Sequence, residues 1–109
     1  MALYLELPMP HPSVLAEFSP PGSGPPGCLR IRLARPERRN ALDVGMTRAL
    51  LDSFRADPAV PVLIDSADPR AFCAGADLSL PDSGRAVVSD LLYECYEVMI
   101  TRPAPQPRR

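Results

Sequence analysis

Alternating apolar and polar residues predict the first strands of the chain. Residues 28–34 place Leu29, Ile31 and Leu33 on one side of an extended segment and two arginines on the other. This alternation is typical of a strand with one solvated face. Residues 14–18 also suit a short strand, and we expect the two segments to pair as a hairpin across the proline- and glycine-rich loop between them.

Apolar residues at helical spacing predict two helices farther along the chain. Asp43 is a suitable N-cap for a helix that runs to about Ala56, and Pro58 ends that helix because the residue before a proline disfavours helical backbone angles. A second helix is expected from about Arg85 to Thr101. The core-facing residues of the first helix are expected to be Met46, Ala49, Leu50 and Phe54. Those of the second are expected to be Val88, Leu91, Leu92, Cys95, Val98 and Met99.

A continuous apolar run at residues 60–66 lies between the two helices and is typical of a buried strand. A right-handed crossover through the first helix would make this strand parallel to the one at residues 28–34. The order of elements therefore predicts a small α/β fold. We expect the globular part to span residues 14–103, between a proline-rich tail at 1–13 and a tail rich in proline and arginine at 104–109.

Composition narrows the classes of partner and compartment. The chain has 109 residues and a net charge of −1, so no strong field favours a nucleic acid or an anionic membrane. Its three cysteines form no CxxC pair, which favours reduced thiols and a cytoplasmic location. The N-terminus lacks the basic region of a signal peptide, and no apolar run reaches the roughly 20 residues needed to span a bilayer.

Three candidate motifs are rejected on their context. Residues 22–27 spell GSGPPG, but a dinucleotide fingerprint must open a helix after a strand, and here an alternating strand follows. His11 has no cysteine or acid at metal-ligand spacing, so no metal site is predicted. Cys73 has no identifiable base near it in sequence and is interpreted as a small buried side chain rather than a nucleophile.

The stretch AFCAGADL at residues 71–78 suggests a different kind of site. Small residues there would let a ligand approach the backbone closely, and Gly75 permits backbone angles that other residues avoid. The peptide N–H groups of this bend are expected to lack ladder partners and to face a cavity. Such donors suit a carbonyl oxygen that gains negative charge during a reaction. An ordinary tight turn after a strand is the alternative interpretation.

Two stretches in this order resemble the enoyl-CoA hydratase/isomerase (crotonase) superfamily. They are LRIRLARPERRNALDVGM at residues 29–46 and DPAVPVLIDSADPRAFCAGADL at residues 57–78. The likeness extends over about residues 28–103. It implies the N-terminal portion of the crotonase (ClpP/crotonase-like) spiral fold in truncated form. It also implies an acyl-CoA thioester as substrate, with no separate cofactor because CoA is part of the substrate.

The resemblance also carries expectations about individual residues. Ala76 matches the position whose backbone N–H is the first donor of the oxyanion hole. The residues that match positions bordering the substrate and its CoA are Arg39, Ala41, Ala74, Gly75, Ala76, Asp77 and Leu78. Full-length relatives are expected to be homotrimers or dimers of trimers.

Departures from the family pattern limit what this chain alone is expected to do. The family's second oxyanion donor and its two catalytic glutamates lie beyond the matched region, and Glu94 and Glu97 do not match them. We therefore expect a fragment that does not by itself hydrate enoyl-CoA. The alternatives are a non-catalytic remnant that binds CoA or another protein, and another reaction of the superfamily, such as isomerisation or thioester hydrolysis.

Overall fold

The structure is a computed structural model and describes residues 3–4, 10–18, 28–57 and 60–101. The GSGPPG stretch and the C-terminal tail considered above lie outside these residues. Within the described residues the elements are β1 (Leu3–Tyr4), β2 (Val14–Phe18), β3 (Leu29–Leu33), a 3₁₀ helix (Pro36–Arg38), α1 (Val44–Ala56), β4 (Val62–Ser66) and α2 (Asp82–Ile100). No helix in this part of the chain has the length and apolar character needed to cross a bilayer.

The strands form one sheet in the order β1-β2-β3-β4. β2 and β3 pair antiparallel, with Ala16 opposite Ile31, so the predicted hairpin is confirmed. β3 and β4 pair parallel, with Ile31 opposite Ile64, and α1 makes the crossover between them. The two-residue strand β1, at the outer edge beside β2, was not predicted from the sequence.

The core lies between one face of the sheet and the two helices. The buried apolar residues are Val14, Ala16, Leu29, Ile31, Leu33, Leu42, Met46, Ala49, Leu50, Leu51, Phe54, Val88, Leu91 and Cys95. This set includes all four residues predicted for the buried side of α1. The stripe predicted on α2 is buried only in part, because Met99 near its C-terminal end remains 48% exposed.

The start of α1 is held by a side chain from the N-terminal segment as well as by its own cap. The Asp43 carboxylate accepts a hydrogen bond from the Met46 N–H at 2.8 Å, as an N-cap should. The His11 ring lies over this first turn, and a Cβ at Gly45 would come within 2.8 Å of it. Glycine at this position therefore makes room for the imidazole, which sequence analysis alone did not indicate.

The prediction that β4 is a buried strand is wrong. β4 is the edge strand of the sheet, and none of its five residues is buried. Leu63 on its outer face is 48% exposed. A run of apolar residues indicates that a segment can form a strand with apolar side chains. Whether the strand is buried depends on whether another element covers it. Within the described residues, β4 has a sheet partner on one side only.

The charge on β4 is neutralised by the neighbouring strand. The Asp65 carboxylate accepts hydrogen bonds from Arg30 Nε at 2.8 Å and from Arg32 Nε at 3.0 Å. Both arginines lie on the solvated face of β3, where the sequence predicted them. These bonds reinforce the parallel register of the two strands. They also leave the edge without the free charge that commonly discourages pairing with a second molecule.

We expect the chain to self-associate through this edge, and Leu63→Glu to suppress the association. Because Arg30, opposite residue 63, is already paired with Asp65, the introduced carboxylate adds net negative charge to the exposed edge, which disfavours strand addition. Leu15→Glu is the matched control, since Leu15 is 44% exposed and lies on β2, opposite Arg32 of β3 and away from the β4 edge. Sedimentation velocity over a concentration series measures the effect. A monomeric parent chain with one sharp thermal transition would contradict the expectation.

Candidate functional site

The site begins at a left-handed turn between β3 and α1. Arg39 and Asn40 both have positive φ, at 52° and 58°. Asn40 is fully buried, and its side chain satisfies three partners in the surrounding loops. Its Oδ1 accepts from the Arg35 N–H at 2.7 Å, and its Nδ2 donates to Ser66 Oγ and to the Phe72 carbonyl. Asn40 therefore ties the turn to the segment that follows β4.

Backbone hydrogen bonds join this turn to the glycine loop at residues 73–78. The Ala74 N–H donates to the Arg39 carbonyl at 3.0 Å. Leu42 donates to the Gly75 carbonyl at 2.7 Å and accepts from the Asp77 N–H at 2.9 Å. These two bonds form a parallel bridge between Leu42 and Ala76.

The bridge sets the direction of the Ala76 N–H. The Gly75 carbonyl and the Ala76 N–H belong to one trans peptide unit, so they point in opposite directions. Since that carbonyl faces Leu42, the Ala76 N–H points away from Leu42. None of the described residues accepts a hydrogen bond from it.

The broader expectation that the N–H groups of this loop lack partners is wrong. Ala74 and Asp77 donate within the fold, and the Gly75 N–H lies 3.4 Å from the Cys73 sulfur. The turn segment before α1 supplies most of these acceptors, and no local sequence pattern revealed that it would lie alongside the loop. Within the described residues, the N–H groups of Cys73, Ala76 and Leu78 have no acceptor, and Ala76 is the one of these that matches the family's oxyanion donor.

Ala76 lies in the wall of an open cleft of about 340 Å³. The cleft is lined by Glu37, Arg38, Arg39, Ala41, Ala74, Ala76, Asp77 and Leu78. Six of the seven residues expected to border the substrate are therefore brought together. The seventh, Gly75, does not line the cleft, but its φ of 92° makes the bend that turns the loop.

The two arginines of the cleft differ in what they are free to bind. Arg38 Nη2 donates to Ser79 Oγ at 2.8 Å and lies 3.3 Å from the Asp77 carboxylate. Arg39 is exposed and makes no salt bridge within the described part of the chain. Arg39 is therefore the cation of this cleft that an anionic ligand could engage without breaking an internal ion pair.

Asp77 lines the cleft, but its carboxylate is turned into the protein. The side chain is 6% exposed. Hydrogen bonds from the backbone N–H and hydroxyl of Ser79, with smaller contributions from Arg38 and Arg35, lower the pKa of Asp77 to about 2. Because the folded chain holds this pKa below the ordinary value of 3.8, the ionised group stabilises the fold above about pH 4. That stabilisation is lost as the pH falls toward 2.

A second cavity, the apolar groove, lies on the other side of the glycine loop and has a volume of about 230 Å³. It is lined by Leu33, Leu42, Leu50, Phe54, Ile64, Phe72, Cys73, Leu92, Cys95, Tyr96 and Met99. Burial raises the pKa of Cys95 to about 11, so its thiol remains neutral at pH 7. Cys73 donates to the Asn40 carbonyl at 3.3 Å, which is a structural contact. No group of three or more metal-binding side chains occurs among the described residues.

Sequence analysis missed the part that Arg35 plays at this site. The arginine was visible only as one letter of an RP pair, and nothing in its local pattern marked it. In the structure its Nη1 donates to the Ala41 carbonyl at 2.8 Å and to Asp77 at 3.2 Å. Arg35 thus joins the segment before α1 to the glycine loop, across 42 positions of sequence.

The fold and the loop define a protein of the crotonase class. A Bacillus anthracis enoyl-CoA hydratase superposes on 85% of this chain with a TM-score of 0.68 and 21% identity. A Thermobifida fusca protein solved in complex with acetoacetyl-CoA superposes on 79% of it, with a TM-score of 0.53 and 23% identity. The match covers 37% and 36% of those two chains.

The sequence profile of the enoyl-CoA hydratase/isomerase family matches residues 28–98. The chain belongs to that family. Over 79 residues it is 39% identical to a Mycobacterium bovis protein named "Probable enoyl-CoA hydratase". This match covers 71% of the chain but 32% of the relative, so the chain spans about a third of the length of the curated relatives it matches.

Proposed function

We propose that the chain binds acyl-CoA thioesters in the cleft beside Ala76, with the Ala76 N–H donating to the thioester carbonyl oxygen. The observation that carries the proposal is that this N–H has no acceptor among the described residues and belongs to a residue that lines the cleft. The small side chains of Ala74 and Ala76 leave the backbone accessible. Family membership supports a CoA thioester as the ligand class.

A donor in this position would polarise the thioester. When the carbonyl oxygen accepts the hydrogen bond, electron density moves toward the oxygen, and an enolate-like intermediate is stabilised relative to the bound thioester. This is the charge distribution that addition of water to an enoyl-CoA requires. The same donor would serve an isomerase or a thioester hydrolase, because both also place negative charge on that oxygen.

Hydration additionally needs groups that transfer protons to and from water. The acidic residues lining the cleft are Glu37 and Asp77. The Glu37 side chain is 68% exposed, and the Asp77 carboxylate is held by internal donors. We therefore propose that this chain alone binds and polarises the thioester, and that hydration depends on acid and base groups elsewhere in a complete enzyme. Turnover of crotonyl-CoA at the rate of a full-length relative would contradict this.

Binding of butyryl-CoA labelled with ¹³C at the thioester carbonyl tests the proposal directly. Butyryl-CoA has no double bond to hydrate, so the labelled carbonyl reports polarisation alone. We expect its ¹³C resonance to move downfield on binding and its infrared stretching band to move to lower frequency. CoA without the acyl group is the control for affinity. Binding of butyryl-CoA with no change in its thioester carbonyl signals would refute the assignment of Ala76 as the donor.

Arg39→Ala is expected to weaken the binding of CoA and of butyryl-CoA equally, by about tenfold, because a charge-assisted hydrogen bond to a phosphate contributes about 1.5 kcal/mol. Arg48→Ala is the matched control, since it removes the same charge from α1 and Arg48 does not line the cleft. Calorimetric titration at two salt concentrations measures both variants. Equal losses in the two variants would show that only net charge matters.

A further inference from the structure

The strongest unexplained feature near the cleft is the set of donors around the Asp77 carboxylate. Oδ1 accepts from the Ser79 N–H at 2.9 Å and from Ser79 Oγ at 2.8 Å. Arg38 Nη2 lies 3.3 Å from the same oxygen, and Arg35 Nη1 lies 3.2 Å from Oδ2. A side chain with all of these partners, and with 6% exposure, is not available to contact a ligand.

Arg35 links this carboxylate to the backbone bridge that orients the Ala76 N–H. One nitrogen, Nη1, donates both to the Ala41 carbonyl and to Asp77. Ala41 precedes Leu42, and Asp77 follows Ala76, so the guanidinium group joins the two residues next to the bridged pair. Its side chain is 18% exposed, and little water therefore competes for these bonds.

We propose that Arg35 and Asp77 form a positioning pair that holds the Ala76 N–H in the direction needed to polarise a thioester carbonyl. The pair does not touch the substrate; it acts through the bridge between Leu42 and Ala76. The inference rests on the function proposed above and adds to it the residues that keep its donor aligned.

Alignment decides what such a donor can do. Hydrogen bonds weaken steeply as the donor angle departs from linearity, and a rotated N–H would lose most of its effect on the carbonyl. The bridge consists of two backbone bonds at the end of a loop that contains a glycine with φ of 92°. Without the positioning pair, only backbone hydrogen bonds to the turn before α1 hold this loop, and any twist about Gly75 turns the Gly75–Ala76 peptide plane with it.

Removing the pair would lower the stability of the fold even if the pair did not orient the Ala76 N–H. The test therefore needs a measurement that does not change with stability alone. Asp68 provides the matched control. It is a second buried carboxylate, 4% exposed, and its pKa is likewise lowered, here chiefly by the Arg70 side chain. Asp68 does not line the cleft. Asp68→Asn therefore removes a buried carboxylate that is paired with an arginine, without touching the positioning pair.

The experiment compares Asp77→Asn and Asp68→Asn in the whole chain, with the labelled butyryl-CoA as probe and CoA as control. In Asp77→Asn we expect the shift of the carbonyl ¹³C resonance on binding to fall below half of its value in the parent chain. The preference for butyryl-CoA over CoA should fall by about two- to tenfold, the net worth of one hydrogen bond. Affinity for CoA alone should not fall and is expected to rise, because the substitution removes a negative charge and releases Arg38, which also lines the cleft. Asp68→Asn should keep the parent carbonyl signal even if its melting temperature falls.

Arg35→Lys keeps the test decisive if Asp77→Asn does not fold. Lysine retains the positive charge but lacks the planar group that joins Ala41 to Asp77, so the same loss of carbonyl displacement is expected. A full displacement in either folded variant would overturn the positioning pair alone. No displacement in the unsubstituted chain would overturn the proposed function, and the pair with it. Equal losses in the Asp68 and Asp77 variants would identify general destabilisation instead and overturn the pair.

Discussion

Replacing Asn40 with alanine is expected to lower the free energy of unfolding by about 3–5 kcal/mol. The substitution leaves the Arg35 N–H and the Phe72 carbonyl without the partner they have here, whereas Ser66 Oγ keeps its bonds to Asp68 and Ala71. Each buried polar group left without a partner costs about 1–3 kcal/mol. Alanine also adopts a φ of 58° less readily than asparagine, which adds about 1 kcal/mol.

A loss of this size would leave much of the chain unfolded, because whole domains are stable by only about 5–15 kcal/mol. Urea denaturation followed by circular dichroism measures it. Asn40→Gly should be less destabilising than Asn40→Ala by about 1 kcal/mol, since glycine restores the left-handed conformation but not the hydrogen bonds. Arg39→Ala is the neighbouring control, for Arg39 is exposed and also left-handed. If Asn40→Ala cost no more than Arg39→Ala, the role assigned to Asn40 would be wrong.

Replacing the Ala76 N–H by an ester oxygen, with lactic acid in place of alanine, is expected to abolish the shifts in the ¹³C resonance and infrared band of the bound butyryl-CoA carbonyl. The side chain and backbone path are retained, and only the donor is removed. In a complete enzyme, one such donor is worth about 10²–10³ in rate. Cys73 makes the substitution accessible, because a peptide of residues 73–109 can be joined to residues 1–72 at that cysteine.

The same exchange at Ala74 is the control and should have the opposite effect. The Ala74 N–H donates to the Arg39 carbonyl, so its loss costs about 1 kcal/mol of stability but leaves the oxyanion donor in place. The ester at residue 76 removes no internal donor and only weakens the Gly75 carbonyl as an acceptor. The donor would have to lie elsewhere if the shift of the carbonyl signals persisted with the ester at residue 76. The same would follow if the shift vanished with the ester at residue 74.

Sequence patterns predicted most of the secondary structure because those patterns are local. The alternation around Ile31 reflects the two-residue period of a strand, and β3 follows it. The cap at Asp43 and the helical spacing that follows placed α1 within one residue of its observed start and at its observed end. β4 was placed in the right part of the chain, but its burial was not predictable, since its own residues do not specify what covers them.

At the candidate site too, features with a local sequence pattern were predictable and features that depend on long-range contacts were not. The sequence by itself determined that a loop of small residues with a glycine would follow a strand, and the family resemblance indicated six of the residues that line the cleft. Only the tertiary structure decided which of the loop's N–H groups find an internal acceptor, and that Asp77 turns inward onto Arg35. The physical reason is that backbone partners at this site come from segments more than thirty positions apart, and long-range pairing of this kind leaves no periodic trace in either segment.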